Sequence, residues 1–451
     1  MEDPGPDPAP GPAPGPPTRP HPAGWPPGTR EGLLPRLWSR VVRLGDGLDP
    51  LELAGEDGFV WSSPGGALLG SGVAARLPVG TGPGRLERAA EATAALLVAA
   101  ELDDPDGSGL APAAVGALPF HPATPGELVV PALLVRTDPA GRSWAVLTGP
   151  APSAPPAPAE LLARLRAAAA GDRPWPSARR RDPGPEGSGL AAWRAGVVAA
   201  LEAIAAGRLD KVVLAREAGV EADGPFPRAE VLRRLRRRPG GSTFLYASGG
   251  FVGATPELLV ARRGRVATSR PMAGTVPRGD SAAAEADGLA RLTGSPKEAV
   301  EHRLVVDAVA GGLAKVADRV QVGRPEVVRL ATVAHLATEI TAELTGTLPT
   351  ALELAGLLHP TPAVGGSPRD AALAAIAALE PFDRGCYAGP VGWVDRAGDG
   401  EWALALRGAT LDGRHARLLA GAGIVPGSDP DAEWAETEHK LRATLEVLLS
   451  P

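Results

Sequence analysis

The sequence has few of the residues that form disulfides, metal clusters and aromatic binding surfaces. Its 451 residues include one cysteine (Cys386), two methionines, two tyrosines and 4% aromatic residues. A single cysteine excludes an intramolecular disulfide and any metal centre with several cysteine ligands. The chain is long enough to bury a sizeable apolar core without such crosslinks.

Three further absences limit the class of protein. With 46 Lys and Arg against 52 Asp and Glu, the net charge is −6, so the basic footprint of a nucleic-acid-binding protein is lacking. No apolar run reaches the length of a membrane-spanning helix. The first residues have neither the charged nor the apolar region of a signal peptide, so we expect a cytoplasmic protein without a membrane partner.

Glycine (58) and proline (50) are abundant, and their clusters divide the chain. Residues 1–30 are rich in Pro, Gly and Ala with few large apolar side chains, and we predict a disordered tail there. Residues 31–189 are predicted to form the N-terminal part of an α+β fold, ending in a linker rich in Pro, Arg and Gly. Residues 190–451 carry denser motifs and are the predicted catalytic domain.

The order of the elements favours an α+β fold. Runs of strands alternate with helices without a repeating βαβ pattern, which indicates largely antiparallel pairing. Apolar segments predict strands at 128–135, 211–215 and 401–411, and helical spacing predicts helices at 87–102 and 296–317.

Two helix starts carry recognisable caps. Ser295 precedes a proline, and Glu298 lies where it would complete a capping box. Before the last helix, Ser428 or Asp429 is a suitable N-cap and Pro430 a suitable first residue.

The last helix places Glu433, Glu436 and Lys440 on one face, because their spacings are three and four residues. Gly421 and Gly423 precede them in a predicted glycine turn, where backbone N–H groups are accessible. Such an arrangement is able to hold a hard cation and an anionic ligand. The alternative is a solvated helix face after a loop.

Two residues are candidates for proton transfer. Lys211 begins an apolar strand, where it is either an exposed strand end or a desolvated lysine with a lowered pKa that serves as a base. Glu257 follows Pro256 at the point where a turn becomes a strand. It is either an exposed turn carboxylate or an acid whose pKa is raised by apolar neighbours.

Three more residues have charge or ligand chemistry in apolar surroundings. Glu301 shares a helix face with apolar residues, and with Glu433 and Glu436 it would provide three carboxylates, the ligands that Mg²⁺ prefers. Arg407 in an apolar strand needs an anion, either a substrate carboxylate or an internal partner. His335 follows a strand, where a lone histidine is a structural or a catalytic residue.

Taken together, these motifs resemble the chorismate-utilising enzymes, a family that includes isochorismate synthases, salicylate synthases and the large subunits of anthranilate synthase. The resemblance covers residues 190–449 and rests on eight motifs in the order of the family. They are KVVLAR at Lys211, FVGATPELL at Phe251, PMAGT at Pro271, SPKEAVEH at Ser295, HPTPAVGG at His359, EPFDRGCYAGPVGW at Glu380, ALRGA at Ala405 and AGAGIVPGSDPDAEWAETEHKL at Ala420.

The resemblance implies a fold and a set of site residues. The fold is a large α+β domain with two packed, mainly antiparallel sheets and flanking helices. The implied metal ion is Mg²⁺, held by Glu301 and Glu436 with Glu433 adjacent. The implied chorismate-binding residues are Gly274, Thr275, His335, Ala363, Tyr387, Arg407, Gly421, Gly423 and Lys440.

The resemblance also implies a reaction. Members that add water carry a lysine at the position of Lys211, whereas Ala273 stands where aminodeoxychorismate synthases carry a nucleophilic lysine. Glu257 matches the acid that protonates the departing C4 hydroxyl. We therefore expect an isochorismate synthase of menaquinone or siderophore biosynthesis, with chorismate as substrate and no glutaminase subunit.

Three alternatives remain at this point. A salicylate synthase shares these residues and then releases pyruvate. A non-catalytic chorismate-binding protein would usually have lost one of the acid, base or metal residues. The large subunit of an amidotransferase is disfavoured by Lys211.

Overall fold

The computed structural model describes residues 35–150, 152, 156–169, 174–182, 189–238, 244–279 and 281–450. The predicted disordered tail (1–30) lies outside these residues, as do residues 183–188 of the predicted linker. Arg36–Pro451 cluster as one compact unit. Within the described ranges, no helix is long and apolar enough to cross a bilayer.

The first ten strands of the described chain precede residue 190. They are β1 (Trp38–Asp46), β2 (Phe59–Ser63), β3 (Gly66–Ser71), β4 (Ala75–Val79), β5 (Glu101–Asp103), β6 (Ala113–Ala117), β7 (Gly126–Val130), β8 (Leu133–Thr137), β9 (Arg142–Gly149) and β10 (Ala178–Arg180).

The remaining strands follow residue 190. They are β11 (Lys211–Ala222), β12 (Phe244–Ser248), β13 (Phe251–Thr255), β14 (Leu258–Arg263), β15 (Val266–Arg270), β16 (Met272–Pro277), β17 (Ala317–Val322), β18 (Glu326–Arg329), β19 (Val333–Ala337), β20 (Ile340–Leu344), β21 (Gly366–Ser367), β22 (Pro390–Asp395), β23 (Gly400–Leu404), β24 (Gly408–Asp412) and β25 (His415–Ile424).

Helices lie between these strands along the whole described chain. They are α1 (Arg85–Ala99), α2 (Pro158–Ala169), α3 (Leu190–Ala205), α4 (Arg228–Arg236), α5 (Ala282–Gly294), α6 (Pro296–Leu313), α7 (Ala351–Leu358), α8 (Arg369–Leu379) and α9 (Pro430–Leu449).

Two large sheets form the centre of the fold. One has thirteen strands, in the order β10-β11-β25-β24-β13-β12-β2-β3-β8-β9-β1-β5, with β21 beside β11; the other has nine, in the order β17-β20-β15-β14-β23-β22-β6-β7-β4. Their neighbours run antiparallel, apart from the parallel pair β1 and β5. The α+β prediction with mainly antiparallel sheets is therefore confirmed. Strands from 31–189 and from 190–451 pair within the same sheets, for example β2 with β12.

The core lies between and around the two sheets. Trp61 and Tyr246 of the larger sheet and Val391 and Trp393 of the smaller one belong to one buried cluster, so the sheets pack face to face. The outer face of the larger sheet is covered by α2, α4 and α9, and that of the smaller sheet by α1, α6 and α7. Burial of these apolar faces is the main source of stability.

A smaller third sheet lies beside the pocket described below. Its strands are β16, β19 and β18, and β16 contacts α6. Through β19 this sheet carries His335, and through β16 it carries Thr275.

Two segments predicted as single strands are divided in the structure. The segment 128–135 forms β7 and β8 in different sheets, because Pro131 has no N–H for a ladder and ends the pairing. The segment 401–411 forms β23 and β24, also in different sheets, and the chain changes direction at Arg407, whose φ is +52°.

The predicted glycine turn at 421–423 is also wrong. Gly421 and Gly423 lie inside β25 and pair with β11, at Ala215 and Val213 respectively. The turn comes after Ile424, because proline and small polar residues begin there.

The helix caps are partly as predicted. Asp429 is the N-cap of α9, and its side chain accepts from two backbone N–H groups, with Pro430 in the first turn. Ser295 caps α6 by accepting from the N–H of Glu298. The Glu298 carboxylate instead accepts from the N–H of Thr275 at 3.2 Å, so its predicted part in a capping box is wrong.

Candidate active site

One pocket collects nearly all the residues singled out from the sequence. It encloses about 940 Å³, including the part open to solvent. Its walls come from β11, β16, β19, β25, α6, α9 and the loops that follow β13, α7, α8 and β23. The predicted site residues in its lining are Glu257, Gly274, Thr275, Glu301, His335, Ala363, Tyr387, Arg407, Gly421, Gly423, Glu433, Glu436 and Lys440.

Lys211 is held beside this lining. Its side chain is 1% exposed, and Nζ donates to Oε1 of Glu301 at 2.7 Å. Of the two alternatives for Lys211, the exposed strand end is excluded, because the start of β11 is covered by β21 on one side and β25 on the other. A buried ammonium needs such a partner.

Gly423 of β25 makes room for that ion pair, and Gly421 makes room for Tyr387. A Cβ on Gly423 would lie 2.8 Å from Oε1 of Glu301 and 2.8 Å from Cε of Lys211. A Cβ on Gly421 would lie 3.4 Å from the Tyr387 hydroxyl. Any larger residue at 423 would displace the lysine or the glutamate.

The same glycines present backbone donors to the pocket. Their partners Val213 and Ala215 direct their polar groups away from β25, since they bond to groups on the other side of β11. At a non-hydrogen-bonded position of an antiparallel pair, the N–H and C=O groups of both residues point away from the partner strand. The N–H groups of Gly421 and Gly423 therefore face the edge opposite β11, where Lys440 Nζ already donates to the Gly421 carbonyl at 3.0 Å.

Glu257 is a buried acid. It is 5% exposed, and its carboxylate accepts one hydrogen bond, from the N–H of Met272 at 3.4 Å. Burial raises its pKa to about 7, although Met272, Lys211, Lys440 and Arg407 act in the opposite direction. A carboxyl group with this pKa carries a proton for much of the time at neutral pH and is able to donate it.

Arg407 and His335 form a coupled pair in the pocket wall. Arg407 donates through Nη2 to Nε2 of His335 at 3.0 Å. Because arginine only donates, Nε2 is the unprotonated nitrogen and Nδ1–H donates to the Gly274 carbonyl at 3.0 Å. Thr275 Oγ1 lies 3.1 Å from Nδ1. Burial and the charge of Arg407 lower the pKa of His335 well below its ordinary value, so the ring is neutral.

Two non-glycine residues of the described chain have positive φ, and both line the pocket. They are Arg407 (+52°) and Ala388 (+62°). This backbone region is strained for residues with a Cβ and persists where surrounding bonds fix it. Ala388 is fixed by its N–H to the Ala405 carbonyl and by His359, whose Nε2 donates to its carbonyl at 3.0 Å. This turn carries Tyr387 into the pocket.

The acidic residues face two lysines. Lys440 is ion-paired with Glu436 on α9, as Lys211 is with Glu301 on α6. Glu433 is 5% exposed and lines the same wall. In the part of the chain that the structure describes, no group of three His, Cys, Asp or Glu side chains is arranged to hold a metal ion by itself.

The donor set nevertheless fits Mg²⁺. That ion takes one or two carboxylates and completes its shell with water and substrate oxygens, so three converging protein ligands are not required. Glu301 and Glu436 line one pocket and supply two such carboxylates. The ligand role of Glu301, Glu433 and Glu436 stays a prediction.

Sequence reasoning missed two charged residues of the lining. Glu298 lies three residues before Glu301, so it shares the same helix face, but its apparent capping role hid this signal. Arg384 lies four residues after Glu380 in the EPFDRG motif, and a charged pair inside an apolar segment was the available signal.

Comparisons with known proteins identify the family of the chain. A family model described as "Chorismate binding enzyme" matches residues 46–449. Isochorismate synthase DhbC of Bacillus subtilis is 41% identical over 267 residues, which are 57% of this chain and 67% of that protein. A putative isochorismate synthase MenF of Mycobacterium tuberculosis is 39% identical over 359 residues, 76% of this chain and 87% of that protein.

A solved structure has the same architecture over nearly the whole chain. It is MenF, the menaquinone-specific isochorismate synthase of Escherichia coli, with a TM-score of 0.73 at 28% identity. The match covers 92% of this chain and 95% of that one.

Proposed function

Because the chain belongs to the chorismate binding enzyme family, we propose that it is an isochorismate synthase that uses the pocket described above. It isomerises chorismate by adding water at C2 and releasing the C4 hydroxyl. The substrate is a small dicarboxylate, and Arg407 and Lys440 are cationic groups in the lining that could bind its carboxylates.

One observation carries the proposal: a buried acid and a buried base share a pocket with cationic groups. Glu257 has a pKa of about 7, and Lys211 adjoins the lining at Gly423 and Glu301. Arg407 and Lys440 supply positive charge for substrate carboxylates. A site that only bound chorismate would not need the acid and the base.

In the proposed reaction the atoms balance as an isomerisation. Lys211 acts as the neutral amine, after losing the proton that it now donates to Glu301, and accepts a proton from a water molecule while the oxygen of that water bonds to C2 of the ring. The two ring double bonds shift, and the bond between C4 and its hydroxyl oxygen breaks. Glu257 donates a proton to this hydroxyl, which leaves as water. One water enters and one leaves.

Several residues orient the substrate without transferring protons. Arg407, aligned by the neutral ring of His335, and the N–H groups of Gly421 and Gly423 bind carboxylate oxygens. Tyr387 reaches the same region from its strained turn. Preorganised donors of this kind need little rearrangement when charge moves during the reaction.

Mg²⁺ is the proposed cofactor, held by Glu301 and Glu436 with Glu433 beside them. Bound there, it would offset the repulsion between a substrate carboxylate and these glutamates and would act as a Lewis acid. In the structure Lys211 is ion-paired with Glu301, and Lys440 with Glu436. These ion pairs keep the two proposed metal ligands inside the pocket.

The biological setting follows from the same proposal. Similar proteins include a menaquinone-specific enzyme and a vibriobactin-specific one, so the predicted product feeds menaquinone or siderophore biosynthesis. A cytoplasmic location and the absence of a glutaminase subunit stay predictions.

Product analysis tests the proposal. Purified protein is incubated with chorismate, with Mg²⁺ or with EDTA, and isochorismate, salicylate and pyruvate are separated chromatographically. We expect isochorismate in equilibrium with chorismate, only with Mg²⁺ and without pyruvate. Salicylate with equimolar pyruvate would make the protein a salicylate synthase, and no product in either condition would make it a binding protein. Lys211→Ala serves as the inactive control.

A further inference from the structure

A buried ion pair beside the pocket has no part in the reaction described above. The side chains of Glu380 and Arg384 are 3% and 2% exposed. Nε of Arg384 donates to Oε2 of Glu380 at 2.8 Å, and Nη2 donates to the other carboxylate oxygen. A bidentate pair of this kind fixes orientation as well as charge.

The pair lies along the middle stretch of one edge of β11, where no strand of the described chain pairs with it. On this edge β21 pairs only with the first two residues of β11, and β10 only with its last three. Between them, Nη2 of Arg384 donates to the Val213 carbonyl at 2.7 Å, and the Ala215 N–H donates to Oε1 of Glu380 at 2.7 Å. The ion pair therefore supplies the donor and acceptor that a strand would supply.

Arg384 also contacts two other pocket segments, one through its side chain and one through its backbone. Nη1 of Arg384 donates to the Val364 carbonyl at 2.9 Å, next to Ala363 in the lining. Its own carbonyl accepts from the N–H of Tyr387 at 3.1 Å. Arg384 thus connects the strand of Lys211 and the loop of Ala363 through its side chain, and the turn of Tyr387 through its backbone carbonyl.

We propose that Glu380 and Arg384 form a positioning pair that sets the place of Lys211 relative to bound chorismate. The inference rests on the function proposed above. In the proposed function Arg407, Lys440 and the glycines of β25 bind the substrate, and the pair makes no hydrogen bond to any of them. Losing the pair moves the base more than it moves the substrate, so kcat falls and KM changes little. A displacement of about 1 Å costs on the order of 10²-fold in rate.

The test compares Arg384→Lys with a matched control, Arg228→Lys. Arg228 is equally buried, at 3% exposed, and donates to backbone carbonyls including those of Gly58 and Gly249, but it does not line the pocket. Both variants keep the charge and lose the planar fork. For each, kcat, KM, the thermal midpoint and hydrogen exchange of segments 211–217, 361–367 and 384–389 are measured.

We expect Arg384→Lys to lower kcat roughly 10²-fold with KM changed less than about fivefold, and to speed exchange in all three segments. Arg228→Lys lowers the thermal midpoint and leaves kcat and those segments unchanged. A wild-type kcat in Arg384→Lys, or equal losses of kcat in both variants, would overturn the proposal.

Two further arrangements keep the result interpretable. If Arg384→Lys does not fold, Glu380→Gln takes its place, since it keeps the size and the acceptor for Ala215 and removes the charge. Wild-type protein is assayed first. If the wild-type protein forms no isochorismate, the proposed function is refuted. The comparison of hydrogen exchange between wild type and variant then still decides whether the pair of Glu380 and Arg384 holds the three segments.

Discussion

Replacing Glu257 by glutamine should stabilise the protein at alkaline pH. The carboxyl group is 5% exposed, and burial raises its pKa from 4.5 to about 7. The folded state therefore retains a proton between these pH values that the unfolded state has lost. Stability falls with rising pH wherever the folded state binds more protons. Glutamine has the same shape and does not ionise.

The size of the effect follows from the two pKa values. At about 1.36 kcal/mol per pH unit, the difference between 4.5 and about 7 corresponds to about 3 kcal/mol. This energy is the loss of stability that comes from ionising Glu257 in the folded state. Near pH 4.5 almost none of this cost is present, because the acid is protonated in the folded state and half protonated in the unfolded state. Above about pH 7 the full cost is present and stays constant.

The assay is denaturant unfolding of wild type and Glu257→Gln at about pH 4.5 and about pH 8. The other titrating groups are common to both proteins, so the difference isolates Glu257. We expect similar free energies of unfolding at the lower pH and a variant more stable by about 3 kcal/mol at the higher pH. A difference that is the same at both pH values would refute the raised pKa and with it the assignment of Glu257 as a neutral acid.

Three other predictions concern activity. Lys211→Ala should lower turnover by about 10²–10⁴-fold with an unchanged circular dichroism spectrum, and a wild-type rate would remove this residue from the mechanism. EDTA should abolish activity and added Mg²⁺ restore it, while Glu436→Gln should weaken Mg²⁺ binding in calorimetry; equal affinity in that variant would reassign the ligand. Gly423→Ala should lower kcat by roughly 10-fold or more, because the new Cβ lies 2.8 Å from Glu301 Oε1. Gly311→Ala on α6, where a Cβ meets nothing within 4 Å, is its matched control and should keep full activity.

The sequence was sufficient where chemistry and spacing are local. The N-cap at Asp429, the proline after it and the common face of Glu433, Glu436 and Lys440 depend on a few adjacent residues. Motif order gave the mixed fold and its mainly antiparallel pairing. These features could be predicted because their determinants are close together in the chain.

Features set by distant partners could not be predicted in this way. Nothing near Lys211 in the chain shows that β21 and β25 will cover it, since its partners come from residues 366–367 and 423–424. The strand break at Arg407 depends on a change of sheet, which periodicity does not reveal, whereas Pro131 was a local signal of the other break. Glu298 was assigned to a cap because the local pattern was complete, although its carboxylate bonds to Thr275 instead.

The pairing of β11 with β25 also has a consequence for the synthesis of the protein. Val212 pairs with Ile424, so the base and the glycines beside it are joined only after more than half of the described chain has been made. A nascent chain that ends near residue 400 already contains Lys211 and Glu257 but has neither those glycines nor Lys440. Pairings between such distant segments form slowly, because a long loop must close first. The active site is therefore completed only after the strand that carries Gly421 and Gly423 has been made.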